Sequence, residues 1–408
     1  MPDAYIGLDI GTTGIKAIAF DESDGELAAA IRPTPTHRSG ETTDYDADEL
    51  WETACDVLRD MNSQLAARGH RARAIAPASM AESGVLLDAS GRPLAPVIAW
   101  FDQRTQQQTD WWAQRVGTGR TQQIAGVSPH AVFTASKMLW MREHQPEAWA
   151  AGRHWLLMAD WMAYRLCAEL ATDYSLASRT MLFDLAARDW SAELFESADL
   201  DRALMAPTVQ AGTALGRVQP DAATATGLPS DTVVAAGGHD HVCAAFALGV
   251  IEPGMLLDSI GTAEAFFLVT EELDTTGRVA GSGMSQGLHV AQERTFVMLG
   301  LHNGGGRIDA ARQRLGLDWD TFMSNAAQPS SPERAVIVEL ARDAHERIAH
   351  LVDATGTTPK RHLVTGGGSR NPLLLAAKQE LSSRPIEVSD QPEATALGAA
   401  MLARTALS

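Results

Sequence analysis

The chain is poor in cysteine and in positive charge, and it has no long apolar run. Its three cysteines, Cys55, Cys167 and Cys243, are far apart and have apolar neighbours, which argues against disulfides or zinc and predicts reduced packing residues in a cytoplasmic protein. No uncharged apolar stretch reaches the roughly 18 residues of a membrane-spanning helix, and the N-terminus carries no signal-type segment. We therefore expect no membrane partner.

The balance of charge restricts the partners further. The chain has 33 basic and 51 acidic residues, for a formal net charge of −18. Because nucleic acids and anionic membrane surfaces bind to basic faces, neither is an expected partner, whereas a small ligand that brings its own Mg²⁺ is compatible. With 408 residues, 45% of them hydrophobic, the chain has the size and composition of a soluble α/β protein of two or three domains.

One short phrase occurs twice. Residues 8–13 and 257–262 each end an apolar run with an acidic residue, continue with Gly-Thr and lead into another apolar run. The pattern predicts two β-hairpins whose turns let backbone N–H groups and Thr hydroxyls approach an anion. A Gly-Thr turn also closes ordinary hairpins, so one copy alone is weak. Two copies suggest two domains that close on one phosphate-bearing ligand.

A third element strengthens this interpretation. A run of glycines at 365–371 directly follows the strand-like residues 362–364 and precedes the helix-like residues 372–381. Nucleotides bind where a glycine-rich loop joins a strand to a helix. The sequence therefore predicts a nucleotide site in this half of the chain.

Apolar periodicity predicts the elements around these motifs. Strands are predicted at 5–9, 15–20 and 27–32, followed by a helix at 47–68 that is capped by Asp46 and stopped by Gly69. A strand at 73–78 precedes a predicted hairpin over 85–100, and helices dominate 106–170. Later predicted elements are a strand at 232–236 and helices at 242–249, 334–355 and 395–405.

Together these motifs resemble the FGGY family of carbohydrate kinases, within the actin/Hsp70/hexokinase superfamily. The matching stretches cover nearly the whole chain: 9–14, 100–105, 160–180, 238–240, 261–262, 334–339 and 366–371. The resemblance implies an α/β fold of two RNase H-like (actin-like ATPase) domains with a central cleft. Residues 1–236 would form the N-terminal, sugar-binding domain with the first phosphate turn, and residues 237–408 a shortened, nucleotide-binding C-terminal domain. It also implies ATP, Mg²⁺, a small-molecule sugar substrate and a homodimer.

Asp240 is the candidate catalytic base. It follows a strand and a Gly-Gly bend at the start of a helix, where the helix N-terminus holds a carboxylate ionised, and it matches the base of the family. The alternative is a helix cap without chemistry. His239 and His241 beside it are candidates to bind a sugar oxygen, or are hydrogen-bonded structural residues.

The resemblance assigns the phosphate side as well. Asp9 would hold Mg²⁺ through water, with Asp240 as a second carboxylate near the metal. Lys16 would add positive charge or would be a solvent-facing strand lysine, and Glu264 has no predicted role. The remaining predicted nucleotide contacts are Gly11, Thr12 and Thr13 in the first turn, Gly261 and Thr262 in the second, and Gly366, Gly367 and Asn371 at the adenosine.

Sugar recognition requires hydroxyl partners around a stacking face, for which the candidates are Trp100, Glu82, Asp102 and Arg104. The alternatives are a core role for Trp100 and a local ion pair for Asp102 and Arg104. Glycerol-type members carry an arginine before the glutamate and a tyrosine before the lysine that matches Lys137. This chain has Met80-Ala81 and Val132 at those places, which argues against glycerol.

The expected function is ATP-dependent phosphorylation of a small ketose, xylulose- or fuculose-like, at a primary hydroxyl. One departure from the family bears on this: the stretch between Asn303 and Arg334 is short and lacks the Gly-Glu-Arg-x-Pro loop that members usually carry. The alternatives are a degenerate kinase that acts as a sugar- or nucleotide-binding regulator, and a polyol kinase of the glycerol or erythritol type. An ATPase for protein clients is disfavoured because the chain lacks an appended peptide-binding domain.

Overall fold

The computed structural model describes residues 1–301 and 303–407, and the chain divides into two compact units. The first unit comprises Met1–Gly249, Gly287–Glu293 and the residues from Glu393 onward; the second comprises Val250–Gln286 and Arg294–Pro392. The domain boundary predicted at residue 237 therefore differs from the division by contacts, which places 237–249 and the C-terminal helix in the first unit.

Up to residue 249 the chain contains both strands and helices, with a π-helical turn at Ala113–Gly117 and a 3₁₀ turn at Arg202–Leu204. The strands are β1 (Asp3–Ile10), β2 (Gly14–Phe20), β3 (Glu26–Pro33), β4 (His37–Ser39), β5 (Thr42–Tyr45), β6 (Arg71–Ser79), β7 (Gly84–Leu87), β8 (Val97–Ile98), β9 (His154–Leu157), β10 (Thr172–Asp173), β11 (Phe183–Asp184), β12 (Asp189–Trp190), β13 (Thr208–Val209), β14 (Ala214–Arg217), β15 (Val233–Ala235) and β16 (Gly238–His239). The helices are α1 (Ala47–Ala67), α2 (Gln106–Trp112), α3 (Thr118–Ala125), α4 (Thr134–His144), α5 (Pro146–Ala151), α6 (Met158–Cys167), α7 (Tyr174–Ala177), α8 (Ala192–Ala198), α9 (Pro220–Thr226) and α10 (Asp240–Ala247).

From residue 250 there are six strands and six α-helices among the described residues, including α14, the longest helix described. The strands are β17 (Met255–Ile260), β18 (Glu264–Thr270), β19 (Ser285–Leu288), β20 (Thr295–Leu301), β21 (Arg361–Thr365) and β22 (Ile386–Val388). The helices are α11 (Arg278–Gly281), α12 (Gly305–Arg314), α13 (Trp319–Ala326), α14 (Pro332–Thr355), α15 (Pro372–Leu381) and α16 (Ala394–Thr405), with a 3₁₀ turn at Gly367–Arg370.

The main sheet of the first unit confirms the predicted opening meander. Its strand order is β14-β15-β6-β1-β2-β3, with β16 added beside β6; β1, β2 and β3 are antiparallel neighbours, whereas β1 and β6 are parallel. Helix α1 forms where predicted because the side chain of Asp46 accepts hydrogen bonds from the N–H groups of Asp48 and Glu49. Its apolar face, which includes Leu50, Trp51 and Leu58, is buried in the core of this unit.

The predicted hairpin over 85–100 forms only at its tip. The turn is closed by the Gly91 N–H, which donates to Asp88 O, and the arms are joined by the Asp88 N–H to Arg92 O and by the Leu94 N–H to Leu86 O. Beyond Leu94 the arms separate, since Pro96 has no N–H to donate, and β7 pairs with β9 and β8 with β5. Residues 97–102 are therefore held by a different part of the unit than the local pattern indicates.

Helix α16 packs on β1 and on α10 within the first unit. The approach is close enough that a Cβ at residue 7 would lie 1.8 Å from Ala396 O, so glycine is required at that point of β1. This packing explains why the last helix belongs to the unit that starts the chain.

The second unit is built on a mixed sheet in the order β19-β20-β18-β17-β21-β22. Strands β17 and β18 form the predicted second hairpin, in which Ile260 pairs with Glu264, and β21 lies parallel to β17. Apolar side chains of α14 are buried against both core clusters of this unit, among them Ile337, Leu340 and Leu351. The α/β class expected for both halves of the chain is thus observed.

The cysteines and the helices agree with what the composition indicated. Cys55, Cys167 and Cys243 are free and buried, and burial raises the pKa of Cys55 and of Cys167 to about 11. Among the described residues, no helix combines the length and the apolar character needed to cross a bilayer.

Candidate active site

The first Gly-Thr turn joins β1 to β2 and carries Asp9 beside it. The turn is closed by the Gly11 N–H, which donates to Gly14 O at 3.1 Å, and is braced by the Thr34 hydroxyl, which donates to Gly11 O at 2.6 Å. Thr12 is half-buried and Thr13 is exposed, so both hydroxyls border solvent. The local structure is therefore the open, hydroxylated turn that the motif predicts.

Asp240 is the first residue of α10 and does not cap that helix through its side chain. Its Oδ1 accepts a hydrogen bond from the His241 N–H at 2.6 Å and lies 3.1 Å from His239 Nε2. Burial acts to raise the pKa of Asp240, but His241 and His239 outweigh it, and the pKa lies below its ordinary value. With 23% of its side chain exposed, Asp240 is an ionised carboxylate that a ligand can reach.

Asp9 has the opposite electrostatic character. Burial, followed by the charge of Asp240, raises its pKa to about 7, and its Oδ1 is buried without a hydrogen-bond partner in the described chain. Lys16, opposite Asp9 in the β1–β2 register, lowers that pKa only in part, since its ammonium is paired with Glu393 at 2.6 Å. Lys16 is thus neither a free solvent lysine nor an unpaired phosphate ligand.

This pair of carboxylates fits a divalent cation. A buried carboxylate oxygen without a partner, close to a second carboxylate, is relieved by a positive ion. No cluster of three or more His, Cys, Asp or Glu side chains suited to a metal occurs in the part of the chain that the structure describes. Because Mg²⁺ usually takes one or two protein carboxylates and keeps much of its water, the donor set suits Mg²⁺ better than zinc.

Residues 173–175, which follow α6, hold the backbone of His239 in place. Asp173 caps α7 by accepting from the N–H groups of Ser175 and Leu176, and the Ser175 hydroxyl accepts from the backbone N–H of His239 at 2.9 Å. The imidazole of His239 is buried, and its Nδ1 has no hydrogen-bond partner among the described residues. His239 is therefore fixed in place and retains one nitrogen for a ligand.

His241 lies among charged groups of the same site. The dense protein around its imidazole lowers its pKa, Asp240 and Glu82 raise it, and His239 and Arg179 lower it further; the net pKa is below the ordinary value. Since part of its surface is exposed, His241 is a neutral imidazole that a polar ligand can contact.

Glu82 does not stand alone, because it forms a buried ion pair with Arg179. Glu82 Oε1 accepts from Arg179 Nε at 2.8 Å and from Nη2 at 2.6 Å, and the side chains are only 7% and 9% exposed. The backbone of Glu82 is left-handed, at φ 67°, and its carbonyl accepts from the Thr134 hydroxyl. The ion pair and this hydrogen bond hold Glu82 in a conformation that non-glycine residues rarely adopt.

Arg179 is a site residue that the sequence interpretation missed. Its guanidinium lies 4.9 Å from the Phe133 ring centroid, and Nη1 is buried without a hydrogen-bond partner in the described chain. It lies after α7, 97 positions from Glu82 in the chain. The local sequence around Arg179 carries no signal of this pairing, because the partner lies far away in the chain.

Trp100 contacts Thr12 in the first Gly-Thr turn and the neighbouring Phe101. Its indole Nε1 donates to Thr12 Oγ1 at 3.0 Å, and its ring meets Phe101 edge to face at 5.4 Å. Trp100 is half-buried, so one part of it packs against the core and another is accessible. The core alternative thus holds for part of this side chain, and its contact with a sugar stays a prediction.

Asp102 and Arg104 form the local ion pair that was the alternative to sugar binding. Asp102 Oδ2 accepts from Arg104 Nη2 at 2.8 Å and from the Thr43 N–H, while Oδ1 accepts from Arg104 Nε and from its N–H. Arg104 also lies 3.0 Å from Asp44. Both side chains are saturated by protein partners, so they brace the residue-100 segment, and their direct contact with a sugar remains only a prediction.

Lys137 is fully enclosed at the base of this region. Its ammonium donates to the carbonyl oxygens of Val132, of Ala131 at 3.4 Å and of Trp100 at 3.4 Å. Burial lowers the pKa of Lys137 to about 7, against the opposing effects of Glu82 and Asp102. Lys137 thus joins the loops that carry Trp100 and Val132.

In the second unit, the second Gly-Thr turn is exposed at the end of β17. The turn is closed by the Gly261 N–H, which donates to Ala263 O, and the start of α12 packs on it: the Gly305 N–H donates to Gly261 O and the Gly306 N–H donates to Thr262 O, both at 3.0 Å. The short stretch after Asn303 therefore supports the turn directly.

The glycine run lies against the strand that feeds this turn. Gly366 has φ +88°, and a Cβ there would lie 2.6 Å from Ile260 O, so only glycine allows the approach. Gly367 is exposed, as a nucleotide contact requires. Asn371 instead uses its Oδ1 to cap α15, where it accepts from the N–H groups of Leu373 and Leu374. Its predicted contact with adenosine would have to use the remaining amide.

Known proteins share this architecture along nearly all of the chain. A model of the FGGY family of carbohydrate kinases, N-terminal domain, matches residues 4–247, and a model of its C-terminal domain matches residues 309–407. The xylulose kinase of Escherichia coli K12 is 28% identical over 98% of this chain and 90% of its own length. The L-fuculokinase of Salmonella typhi is 27% identical over 98% of this chain and 91% of its own length.

The solved structure of a xylulose kinase from Rhodospirillum rubrum superposes with a TM-score of 0.92 at 22% identity, covering 99% of this chain and 90% of that one. Similarity at this identity establishes the fold, and the predicted two-domain ATPase fold is confirmed. The family models extend over both motif-bearing halves of the chain. The chain therefore belongs to the FGGY family of carbohydrate kinases.

Proposed function

We propose that this kinase transfers the γ-phosphoryl group of ATP to a primary hydroxyl of a small ketose, with Asp240 as the general base. The observation that carries the proposal is the pair of carboxylates whose pKa values are displaced in opposite directions, Asp9 upward and Asp240 downward. When their environments shift the pKa values of two neighbouring carboxyls in opposite directions, the two groups are suited to different chemical roles. A kinase of this family requires a phosphoryl donor, and ATP is that donor.

Asp240 has the properties that the base needs. When the hydroxyl oxygen of the sugar attacks the γ-phosphorus, the bond to the bridging oxygen of ADP breaks and the hydroxyl proton passes to a carboxylate oxygen of Asp240. The low pKa keeps Asp240 ionised before the transfer. His239, 3.1 Å from Asp240 Oδ1, holds the carboxylate in one orientation.

Asp9 is proposed to hold Mg²⁺, through water, with Asp240 as the second carboxylate near the ion. When bound, Mg²⁺ would neutralise phosphate charge, which is its usual contribution to phosphoryl transfer. Thr12 and Thr13 are proposed to contact the phosphates from the first turn, and Gly261 and Thr262 from the second. Gly366, Gly367 and Asn371 are the proposed adenosine contacts.

The sugar is proposed to lie among Trp100, Glu82, Arg179 and the two histidines. Arg179 Nη1 and His239 Nδ1 are buried donors or acceptors without partners in the described chain, and buried polar groups of this kind require a ligand or water. A ketose is favoured over glycerol because Met80-Ala81 and Val132 replace the residues of the glycerol type. Xylulose and fuculose are the first candidates, since relatives are named xylulose kinase and L-fuculokinase.

A sugar- or nucleotide-binding regulator is the second candidate function. The observation in its favour is the short stretch before α14, where α12 and α13 are the elements that follow Asn303. Against it stands the preserved electrostatic pair of Asp9 and Asp240, which a regulator does not need.

Release of ADP, coupled to an optical assay, tests the proposal on the wild-type protein with Mg²⁺, ATP and a panel of pentuloses, hexuloses, deoxyketoses, glycerol, erythritol and gluconate. We expect one ketose to give a strong rate, and Asp240→Asn to lower it at least about 1,000-fold while nucleotide binding persists. The matched control is Asp221→Asn, an exposed carboxylate in the first turn of α9. Silence across the panel, with nucleotide bound, would favour the regulator.

A further inference from the structure

A buried cluster of charged side chains lies directly behind the second Gly-Thr turn. The ammonium of Lys378, on α15, donates hydrogen bonds to both Asp258, on β17, and Glu264, on β18. His362, on β21, has its Nε2 3.3 Å from Asp258 Oδ2. The side chains of Asp258 and Glu264 are fully buried and that of Lys378 is 3% exposed. Four different elements of the second unit thus meet at this cluster, which is defined here as Asp258, Glu264, His362 and Lys378.

The cluster is placed to control the turn without touching a ligand. Asp258 precedes and Glu264 follows the exposed residues Gly261 and Thr262, on the two strands that form the hairpin. Lys378 lies on the helix that begins directly after the Gly366–Asn371 loop. The cluster therefore connects both strands of the phosphate turn to the helix that follows the proposed adenosine loop, and burial excludes direct contact of Glu264 with the nucleotide.

A contribution to folding stability does not by itself explain why charged side chains are buried at this place. Removing charges from water is costly, and apolar side chains of similar volume often stabilise a core as well as a buried ion pair does. What such a cluster adds is a defined geometry, since one ammonium can donate to the side-chain oxygens of both Asp258 and Glu264 only in a narrow set of arrangements. The Phe266 ring, 5.6 Å from the Lys378 ammonium, further limits where that ammonium can lie.

We propose that Lys378 is a positioning residue for ATP, which fixes the Gly261–Thr262 turn relative to the Gly366–Asn371 loop through Asp258 and Glu264. This rests on the proposed contacts of that turn with phosphate. Lys378 acts through the turn, and its loss should weaken nucleotide binding in a folded protein.

The protonation of Glu264 provides a second test, which is the pH dependence of nucleotide binding. Burial, followed by the charge of Asp258, raises the pKa of Glu264 to about 8 against the opposing effect of Lys378. Below about pH 8 the protonated Glu264 leaves one carboxylate, Asp258, opposite the lysine. Above that pH, ionised Glu264 places a second negative charge behind the turn, facing Asp258, His362 and Lys378, and phosphate binding should weaken.

The experiment measures the Kd of Mg²⁺-ADP and the melting temperature of the full chain. We expect Lys378→Met to raise that Kd at least 10-fold at pH 7 while the protein remains folded at the assay temperature. The control Lys360→Met, an exposed lysine of the same unit, should stay within 2-fold of wild type. A folded Lys378→Met protein with an unchanged Kd would overturn the proposal.

Glu264→Gln keeps the hydrogen-bonding shape of the protonated side chain and cannot ionise. Wild-type affinity for ADP should fall at least 5-fold from pH 7 to pH 9.5, and this variant should remove the fall. If Lys378→Met does not fold, the pH dependence of the Kd for Mg²⁺-ADP tests the proposal instead. A Glu264→Gln protein whose Kd changes with pH as in the wild type would contradict the proposal. A wild-type protein that binds ADP but phosphorylates no sugar would refute the proposed function and leave this inference intact.

Discussion

The indole N–H of Trp100 donates a hydrogen bond to the hydroxyl of Thr12, with 3.0 Å between Nε1 and Oγ1. The side chain proposed to stack on the sugar is thereby connected to the turn proposed to contact phosphate. Because this hydrogen bond joins two side chains of the first unit, a change in the orientation of Trp100 should also change the orientation of the Thr12 hydroxyl.

Trp100→Phe keeps an aromatic ring and removes this bond. We expect turnover to fall roughly 5- to 10-fold, in line with the loss of about 1 kcal/mol that one neutral hydrogen bond contributes. A double-mutant cycle with Thr12→Val should give a coupling of about 1 kcal/mol in kcat/KM. Additive effects would contradict the linkage, and Trp319→Phe, an exposed tryptophan, is the control.

Arg179→Met leaves the buried Glu82 carboxylate without its partner. Breaking a buried ion pair in this way costs about 3–5 kcal/mol, so the melting temperature should fall clearly. The double variant Arg179→Met with Glu82→Gln should recover most of that stability but should leave the KM for the sugar at least 10-fold above wild type. Recovery of the KM together with stability would show that Arg179 has a structural role only.

Asp9→Asn should separate stability from activity. Since the pKa of folded Asp9 is raised to about 7 from an ordinary value of 3.8, the folded protein binds more protons than the unfolded chain between these pH values, and its stability falls as pH rises through that window. Asparagine cannot ionise, so the variant does not lose stability in this way. The melting temperature of the variant minus that of the wild type should therefore increase from pH 4 to pH 8. Calorimetry without ligands checks this.

Turnover of the same Asp9→Asn variant should fall at least about 100-fold, because the proposed Mg²⁺ site loses its buried carboxylate. A variant that remains active and shows no relative stabilisation at pH 8 would remove Asp9 from the site. Asp221→Asn again controls for the loss of an exposed aspartate.

Lys137 should show the opposite pH dependence. Its folded-state pKa is about 7 against an ordinary value of 10.5, so between these values the unfolded chain binds the extra proton and stability rises with pH. Lys137→Met should lower stability by breaking the hydrogen bonds to the residue-100 and residue-131 loops, and it should flatten this slope. Urea unfolding at pH 7, 8 and 9 measures both effects, and an unchanged slope would contradict the buried, neutralised lysine.

Local signals in the sequence predict much of the fold. The cap at Asp46, the period of α1 and the two hairpins around the Gly-Thr turns depend on residues that are near one another in the chain, and the structure confirms them. Asp240 at the start of α10 is also where the pattern of strand, bend and helix places it.

Long-range pairing accounts for what was missed. The strand partner of β7 is β9, and the hairpin that local spacing predicted ends at Leu94, ahead of Pro96. Arg179 meets Glu82 across 97 positions, a distance at which periodicity carries no information about contact. The ion pair of Asp102 and Arg104, two positions apart, is by contrast one of the two alternatives that the sequence offered.

The position of α16 has a consequence for synthesis on the ribosome. This helix fills the space between β1 and α10, where glycine at residue 7 admits the backbone of Ala396. The unit that begins the chain is therefore incomplete until residues 394–405 have emerged, whereas nearly all of the second unit is translated before them. A nascent chain halted near residue 390 would hold Asp9 and Asp240 in a unit that still lacks one of its packing helices, so the surroundings of the proposed base are completed only after the second unit has been made.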